Sequence, residues 1–405
     1  MKIKNIFSYL LCLVIILAIT GSVTASSGEI VGLGNNYVGL EGTSALEGNP
    51  AMVNPEDEII TMELDGDLFF WNNGIDSNYL NKYLDTDIKN KILSNIGNNG
   101  LILNTRGGLD GKIILGPIGL FGGARLSQAG SISQDIVDLV LNGNEIDTPY
   151  KLEGTKASMA VYGDAGLNVS TSFKNLATMM GMKNIKLGGS YHYLTGGIFK
   201  FVGQGEAQLT MKDNLGASGD GYIDMKYSEN ARGSAFDIGT SLIISDRFMI
   251  GASLMNIGTL VGDDGKHSKL KYVIDESNDE FVTLEEIAED EPLEKELVYS
   301  LPREIKLGTK YKFDENYSIY TDYSYKKYDM GVKEHIFALG TEFGMDFLPL
   351  RIGVNYSSLQ KSYVLSGGLG LYLGPFQIDA GFSDLSLLYN NAKSAELGVD
   401  ARICF

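Results

Sequence analysis

The chain has 405 residues, a formal net charge of −18 and 44% hydrophobic residues, and its mean hydropathy is close to zero. Nucleic acid is excluded as a partner, because an acidic surface repels the phosphate backbone. Beyond residue 25 no apolar stretch approaches the roughly 20 residues that a membrane-spanning helix needs, which excludes a helical membrane protein.

Residues 1–25 have the pattern of a secretory signal peptide. Lys2 and Lys4 form a charged start, an apolar core follows over residues 10–19, and small residues precede the predicted cleavage after position 25. Removal of this segment leaves Cys404 as the single cysteine, so no intrachain disulfide is predicted.

The next region, residues 26–57, is rich in glycine and asparagine and precedes the first predicted strand. Small residues allow such a segment to pack inside another structure, and its loose local structure allows it to move. The alternative is an ordinary N-terminal tail.

From residue 58 the sequence alternates between apolar and small or polar residues with a period of two, which predicts strands with one greasy face. In one example Ile305, Leu307 and Tyr311 alternate with Lys306 and Lys310. Fourteen strands are predicted, at residues 58–71, 101–115, 118–127, 152–171, 183–200, 233–245, 247–259, 302–313, 316–328, 333–344, 348–357, 361–373, 375–384 and 394–405.

The connections between these strands are alternately tight and long. Gly116-Pro117 and Gly374-Pro375 indicate tight turns, since proline removes a ladder donor. The long connections are predicted at residues 72–100, 128–151, 201–232 and 260–301. Short periplasmic turns and long external loops are typical of bacterial outer-membrane barrels. A soluble β-protein, such as an adhesin or lectin, would share the alternation but would bury the apolar faces in a core.

The connection 260–301 is strongly acidic between residues 285 and 296. Leu284, Ile287, Leu293 and Leu297 are spaced as on an amphipathic helix, which predicts a lid or a partner-docking element. A Ca²⁺ site is disfavoured, because the acids lack the alternating ligands of an EF-hand loop. A solvated external loop is the alternative. Segments 78–96 and 133–141 also have weakly helical patterns.

The last strand alternates without a break to Phe405. An exposed chain end normally frays, so an apolar face that continues to the final residue indicates contact with lipid. The sequence therefore predicts an all-β fold, a transmembrane antiparallel β-barrel of about fourteen strands in the outer membrane of a diderm bacterium. Phe405 is predicted to be the C-terminal signal for the outer-membrane assembly machinery.

If the apolar faces meet membrane lipids, the opposite faces line the lumen. Glycines on these faces, such as Gly353 and Gly368, leave room for a plug or a bulky ligand. The predicted lumen-facing side chains carry both signs of charge and include two methionines: Asp237, Met249, Met255, Lys306, Lys310, Asp322, Glu342, Arg351, Asp379 and Arg402. The two methionines could provide a soft lining for a hydrophobic guest, whereas most charges could simply brace the wall.

No catalytic, cofactor or metal site is predicted. His192, His267 and His335 are scattered, with no cysteine partners. Glycines at 368 and 370 lie on a strand with no following helix, which argues against a dinucleotide site.

Several strings resemble FadL-type outer-membrane transport proteins and the PorV-like branch of the same superfamily. Asn49-Pro50-Ala51, preceded by small residues, is similar to the N-terminal region of the FadL type. The Asn256-Ile257-Gly258 turn and the string 371–376 are similar to the C-terminal half of the superfamily.

The resemblance implies a fourteen-stranded barrel whose N-terminal segment, residues 26–57, folds into the lumen as a plug. Asn49, Pro50 and Ala51 would then be the gate. It also implies transport of a small hydrophobic ligand or, in the PorV-like branch, a secretion or assembly role with a partner protein. A general porin for polar solutes stays open as a third alternative.

Overall fold

The computed structural model describes residues 27–54, 59–79, 82–211, 215–275, 282–329, 331–345, 347–386 and 392–405, so the predicted signal peptide lies outside the described residues. The strands are β1 (Ile60–Asn72), β2 (Leu101–Leu115), β3 (Ile118–Ile132), β4 (Pro149–Lys151), β5 (Lys156–Ser172), β6 (Asn184–Met211), β7 (Leu215–Ile243), β8 (Phe248–Gly262), β9 (Lys266–Asp275), β10 (Val282–Pro292), β11 (Leu297–Ser300), β12 (Arg303–Lys312), β13 (Tyr317–Lys327), β14 (Lys333–Met345), β15 (Leu348–Ser357), β16 (Ser362–Leu373), β17 (Phe376–Ser383) and β18 (Ser394–Cys404). The helices are α1 (Gly28–Gly32), α2 (Thr86–Ile96), α3 (Gln134–Asn142) and α4 (Lys174–Met179), with 3-10 turns at Gly42–Glu47, Pro50–Met52, Ser77–Tyr79 and Gly97–Asn99.

Fourteen of these strands form a closed antiparallel barrel, and β4, β9, β10 and β11 extend its sheet at one end. Each barrel strand pairs with its neighbours in the chain, and β1 pairs with β18 to close the cylinder. In this closing pair Leu64 lies opposite Ala401. The predicted barrel and its strand number are therefore confirmed.

In contrast to a soluble protein, the barrel exposes apolar side chains on its outer face and buries charged side chains on its inner face. On β1, Leu64 is 66% exposed on the outer face whereas the adjacent Glu63 is 3% exposed on the inner face. Ile352 and Arg351 on β15 show the same contrast. A soluble β-protein would bury its apolar face and expose its charges, so this distribution is that of strands that face lipid.

Two groups of aromatic side chains lie on the outer face of neighbouring strands. One runs from Phe248 through Tyr311 to Phe343 by successive ring contacts. The other includes Tyr323, which contacts Phe337 with ring centroids 5.0 Å apart. Aromatic side chains of this kind are enriched at both membrane–water interfaces.

The two ends of the barrel differ in their connections. At one end, here called the short-turn end, the strands are joined by tight turns and by α4. At the other, the long-loop end, α2 lies within the predicted helical segment 78–96 and α3 overlaps the predicted segment 133–141. Side-chain caps start both helices: Asp85 accepts from the Ile88 amide and Ser133 from the Ile136 amide. No helix in the described residues is long and apolar enough to cross a membrane.

The prediction of an external loop at residues 201–232 is wrong. Instead, β6 and β7 continue through this region as one long hairpin that extends past the barrel. The register is continuous beyond a β-bulge between Gly196 and Ile198. The hairpin lengthens because β4 pairs with its β6 side and β9 with its β7 side, which satisfies the backbone groups of both strands.

The amphipathic helix predicted within 260–301 is also wrong. This region forms β9, β10 and β11. Glu285 lies opposite Lys271 and Glu291 opposite His267 in the β9–β10 pair. The acid run would repel itself along a helix, whereas in the sheet Glu285 and Glu291 each face a basic cross-strand neighbour.

The predicted turn at Asn256-Ile257-Gly258 lies inside β8 rather than at a chain reversal. Asn256 has a φ of 58°, in the left-handed region, at the register shift between β7 and β8. A β-bulge requires such a local distortion. The bulge brings the Asn256 amide within 2.6 Å of the carboxylate of Asp237, which accepts its hydrogen bond.

Candidate functional site

The N-terminal residues 27–54, here called the lumenal segment, lie inside the barrel. Nearly all of them are buried, and their contacts are with inward-facing residues of the wall. The segment starts against β15–β18, passes β12–β14 and ends against β5–β8. It therefore spans the lumen and contacts most sides of the barrel.

The start of the segment packs by close backbone contact. A Cβ atom placed on Gly368 of β16 would lie 2.8 Å from the Cα of Gly32, and one on Gly353 of β15 would lie 2.2 Å from the nitrogen of Gly34. Such distances leave no space for a side chain on the wall. These inward glycines accommodate α1 and the turn after it.

The middle of the segment is held by one carboxylate. Asp322 on β13 accepts hydrogen bonds from the backbone amides of Tyr37 and Val38, at 2.6 and 2.9 Å to the same oxygen. The ammonium of Lys306 lies 3.6 Å from the centroid of the Tyr37 ring, a cation–π contact. The two hydrogen bonds to the Asp322 carboxylate are charge-assisted, and such bonds are about twice as strong as neutral ones.

The end of the segment is fixed through Asn49-Pro50-Ala51. Asn49 is extended, its side chain caps the turn Pro50–Met52 by accepting from the Ala51 amide, and Pro50 occupies the first position of the turn. The Asn49 side chain also donates to the hydroxyl of Ser241 on β7. Asn168 on β5 donates to the Pro50 carbonyl at 3.3 Å.

Three buried cations link the segment to the wall. Lys112 contacts Glu47, Glu63 and Asp65, whereas Arg351 contacts Glu29, Glu342 and Asp379, and Arg402 contacts Glu29, Glu63 and Asp400. Burial favours the neutral acid, yet Arg351 and Arg402 lower the pKa of Glu29 below its ordinary value. In contrast, burial raises the pKa of Glu47 in spite of Lys112.

A second polar cluster lies on β5–β7. The Nδ1 atom of His192 is 3.0 Å from the carboxylate of Asp164, and its Nε2 atom is 2.8 Å from Asp237. The Nε atom of Arg125 lies 3.4 Å from the same carboxylate oxygen of Asp164. Sequence reasoning treated His192 as isolated, because its partners meet only across strands. The sequence does contain one indication: His192 alternates in register with Ser190 and Leu194, which are both buried, and so faces inward with them.

The structure places all ten predicted lumen-facing residues on the inner face, in several separate groups. Glu342, Arg351, Asp379 and Arg402 belong to the ion-pair network described above. Asp237 joins His192, Asp322 holds the segment, Lys306 donates to the Glu47 carbonyl, and Lys310 lies 3.8 Å from Glu41. Met249 packs against Leu46, Met52 and Val53 of the lumenal segment, and Met255 is buried.

Sequence reasoning missed several inward carboxylates near the start of the barrel. Glu63 and Asp65 alternate with outward Met62 and Leu64 on β1, so the period-two pattern contained the signal. Phe405 lies at the closing seam, where its amide donates to the Ile60 carbonyl at 2.8 Å and its side chain is exposed.

Of two cavities, one borders the lumenal segment and the other is lined by strands of the wall. A polar chamber of about 750 Å³ opens at the short-turn end and is lined by Glu41, Lys310 and Lys312. An apolar groove of about 370 Å³ lies near the long-loop end, between outward Val161 and inward Ile198.

Ile198 belongs to a buried apolar cluster inside the lumen, together with Tyr162, Leu194, Leu260 and Tyr299. The groove and the lumenal cluster therefore share a wall residue. That shared residue, Ile198, is itself buried.

Comparisons with known proteins agree with this architecture. A family model described as "Family of unknown function (DUF5723)" matches residues 64–382. No curated protein matches the sequence.

Solved structures of two named transporters are similar over most of their length. The toluene transporter TbuX of Ralstonia pickettii has a TM-score of 0.52 and 14% identity, with 94% of this chain and 97% of that chain covered. The toluene transporter TodX of Pseudomonas putida has a TM-score of 0.50 and 12% identity, with 95% and 98% covered.

A FadL homologue of Pseudomonas aeruginosa has a TM-score of 0.55 and 14% identity, with 95% and 99% covered. At this identity the likeness concerns the fold, and it shows that the chain has the FadL-type barrel fold.

Proposed function

The chain belongs to the DUF5723 family of unknown function, and we propose that it is an outer-membrane channel for small hydrophobic molecules, of the fatty-acid or hydrocarbon kind. The lumenal segment is its plug, and Asn49, Pro50 and Ala51 form the gate. The mature protein, after removal of residues 1–25, resides in the outer membrane of a diderm bacterium. TbuX and TodX are toluene transporters with a similar fold, which supports the same class of cargo.

The observation that carries this proposal is the apolar groove beside Ile198. Ligand sites for hydrophobic molecules are concave and mainly apolar, and this groove adjoins the apolar cluster of Leu194 and Leu260 inside the lumen. Cargo captured at the long-loop end would pass Ile198 into the lumen. It would reach the chamber at the short-turn end once the plug shifts.

The ion pairs of the interior argue against a general porin. A porin needs charged side chains that line an open aqueous path. Here Arg351 and Arg402 contact Glu29 of the lumenal segment. Asp322 accepts hydrogen bonds from backbone amides of the same segment. Charges that hold a plug suit a gated channel better than an open pore.

A groove-filling substitution tests the cargo class. Gly197 lines the groove, and a Cβ atom there would have its nearest neighbour at 3.3 Å. Gly197→Trp is expected to lower binding of radiolabelled oleate or toluene to the detergent-solubilised protein at least tenfold. The matched control is Gly122→Trp on the lipid-facing side of β3, where the nearest atom is 3.6 Å away.

Two outcomes would contradict the proposal. Equal binding by wild type and Gly197→Trp would remove the groove from the route. Rapid swelling of proteoliposomes in sugars, without binding of either apolar probe, would favour a porin.

Deletion of residues 29–54 tests the gate and is expected to raise leak conductance in planar bilayers several-fold. Unchanged conductance would contradict a plug.

The long β6–β7 hairpin keeps a second candidate function open. Strands of 28 and 29 residues greatly exceed the roughly 9–11 that cross a bilayer. The projecting sheet that they form with β9 and β10 suits a docking platform for a secreted partner protein. Recovery of a stoichiometric partner with the detergent-extracted barrel, lost when residues 205–221 are replaced by a short turn, would favour secretion over transport.

A further inference from the structure

Three basic residues lie side by side on the outer face of the barrel at the long-loop end. Arg303 on β12 lies opposite Lys327 on β13, and Lys327 lies opposite Lys333 on β14. All three residues, here called the cation row, are exposed. Neighbouring strands are about 4.8 Å apart, so three positive charges start within roughly 10 Å of one another. Like charges directly opposite on neighbouring strands are destabilising, and an anion beside the row would relieve this repulsion.

The acids that are nearest in the chain are turned away from the cation row. Glu304 and Glu334 are buried on the inner face, and Glu304 lies 3.1 Å from Lys326 in the lumen. Asp329 lies 2.7 Å from Lys200 of β6. Among the ion pairs of the described residues, none includes a member of the row. The row therefore presents uncompensated positive charge on a chain whose formal net charge is −18.

The cation row is the last of three layers of outward side chains on these strands. The two layers before it are Leu307, Tyr323 and Phe337, and then Ile305, Tyr325 and His335. Successive layers are two residues, or about 7 Å, apart along each strand. Tyrosine is enriched where the hydrocarbon meets the head groups. The order from apolar to aromatic to cationic therefore matches a lipid with an anionic head group.

The opposite end of the same strands has the opposite charge. The turn between β12 and β13 contains Asp314 and Glu315, which are both exposed. Lys312 at that end lines the polar chamber. The exposed cations thus lie at the end that has the long loops, and bacterial outer-membrane barrels have their long loops outside the cell. The cation row consequently faces the head groups of the outer leaflet.

We propose that the cation row binds the phosphate groups of a phosphorylated glycolipid in the outer leaflet. A phosphate monoester carries a charge of about −1.5 to −2 at neutral pH. Arg303 can donate two parallel hydrogen bonds to one phosphate, and Lys327 and Lys333 act as point charges beside it. The acyl chains would then lie along the layers of Tyr325 and Leu307. This lipid site goes beyond the proposed channel and does not depend on its cargo.

A titration with bisphosphorylated lipid A tests the site. The full-length gene is expressed for export, the barrel is purified in detergent, and bound lipid is counted by native mass spectrometry. Wild type is expected to bind lipid A stoichiometrically. The triple variant Arg303→Gln, Lys327→Gln, Lys333→Gln should bind it at least tenfold more weakly, because each basic residue near an anionic lipid surface adds to the attraction. Dephosphorylated lipid A should bind wild type equally weakly.

Two controls separate the cation row from the overall charge of the protein. Lys174→Gln, Lys183→Gln, Arg247→Gln removes three exposed cations at the short-turn end and should keep the wild-type affinity. Lys327→Arg preserves the charge and should also bind as wild type does. Lys327→Gln alone should weaken binding at least threefold, and it replaces the triple variant if that variant fails to fold.

Several results would overturn the inference. Equal affinity of wild type and the row variants for lipid A would do so, and so would equal affinity of wild type for the phosphorylated and dephosphorylated lipids. Preference for phosphatidylglycerol would assign the row to an ordinary phospholipid. Binding of inorganic phosphate that lipid A does not displace would assign it to a free anion. A barrel that binds lipid A but neither oleate nor toluene would contradict only the proposed cargo.

Discussion

The side-chain amide of Asn49 donates a hydrogen bond of 2.7 Å to the hydroxyl of Ser241 on the inner face of β7. The carbonyl oxygen of the same side chain accepts from the amide of Ala51. One residue thus caps a turn of the lumenal segment and attaches it to the wall. A glycine at 239 makes this possible, since a Cβ atom there would lie 2.2 Å from the Asn49 side chain.

Asn49→Ala should loosen the end of the plug. Loss of a cap costs about 1 kcal/mol, and a buried hydroxyl left without its partner costs about 1–3 kcal/mol more. We expect leak conductance in planar bilayers to rise at least fivefold. The control is Asn54→Ala, because Asn54 contacts the wall through its backbone carbonyl, which accepts from Lys186. Equal conductance in the two variants would exclude Asn49 as a gate residue.

Gly368→Val should displace the start of the plug, because its Cβ atom would lie 2.8 Å from the Cα of Gly32. The neighbouring Gly367 faces outward, with its nearest atom at 3.7 Å, so Gly367→Val is the control. A protease that cleaves after glutamate should cut at Glu47 at least tenfold faster in Gly368→Val than in Gly367→Val. Similar rates in both variants would contradict close packing of α1 against β16.

Arg351→Met should destabilise the barrel strongly. Arg351 is 2.7 Å from Glu342, contacts Asp379 and lies 3.8 Å from Glu29. Removing one partner of a buried ion pair costs about 3–5 kcal/mol, because the remaining charges stay buried. The temperature at which the folded band disappears from gels should fall clearly.

A second substitution distinguishes charge from packing at this site. Arg351→Met combined with Asp379→Asn should recover part of the loss, because one unpaired carboxylate is removed. Lys183→Met breaks an exposed pair with Asp246, which solvent screens, and should change the gel transition little. No recovery in the double variant would indicate that Arg351 acts through packing alone.

Phe405→Ala should reduce the amount of assembled barrel several-fold without changing the thermal stability of what assembles. The Phe405 side chain is 66% exposed, and its structural contacts are made by the backbone. Phe376→Ala is the matched control, because Phe376 is 58% exposed on the same lipid-facing side. If both variants assemble equally poorly, a general need for lipid-facing aromatics would explain the effect and the predicted C-terminal signal would be wrong.

The strands and their faces could be predicted because each depends on a local rule. Side chains alternate across a strand, so the sequence alone places Leu307 and Lys306 on opposite faces. The same rule failed within 260–301. Leu284 and Ile287 fit a helical spacing, and only pairing with β9 makes the strand favourable, since Glu285 then faces Lys271.

The candidate site depends on relationships that no local rule contains. His192 meets Asp164 and Asp237 across three strands, and this meeting depends on cross-strand register. The sequence also offered no way to decide whether Met249 faces an open cavity or the lumenal segment. The structure packs it against Met52.

By itself the sequence determined that this chain is a barrel with an apolar exterior, because a period of two along each strand separates lipid-facing from lumen-facing side chains. Tertiary structure alone decided which inward groups meet. Asp65 and Asp400 become neighbours only when β1 closes on β18, and Gly28 reaches Asp400 only because the lumenal segment folds back into the cylinder. Such contacts join residues hundreds of positions apart, so they are set by closure and register rather than by any local pattern.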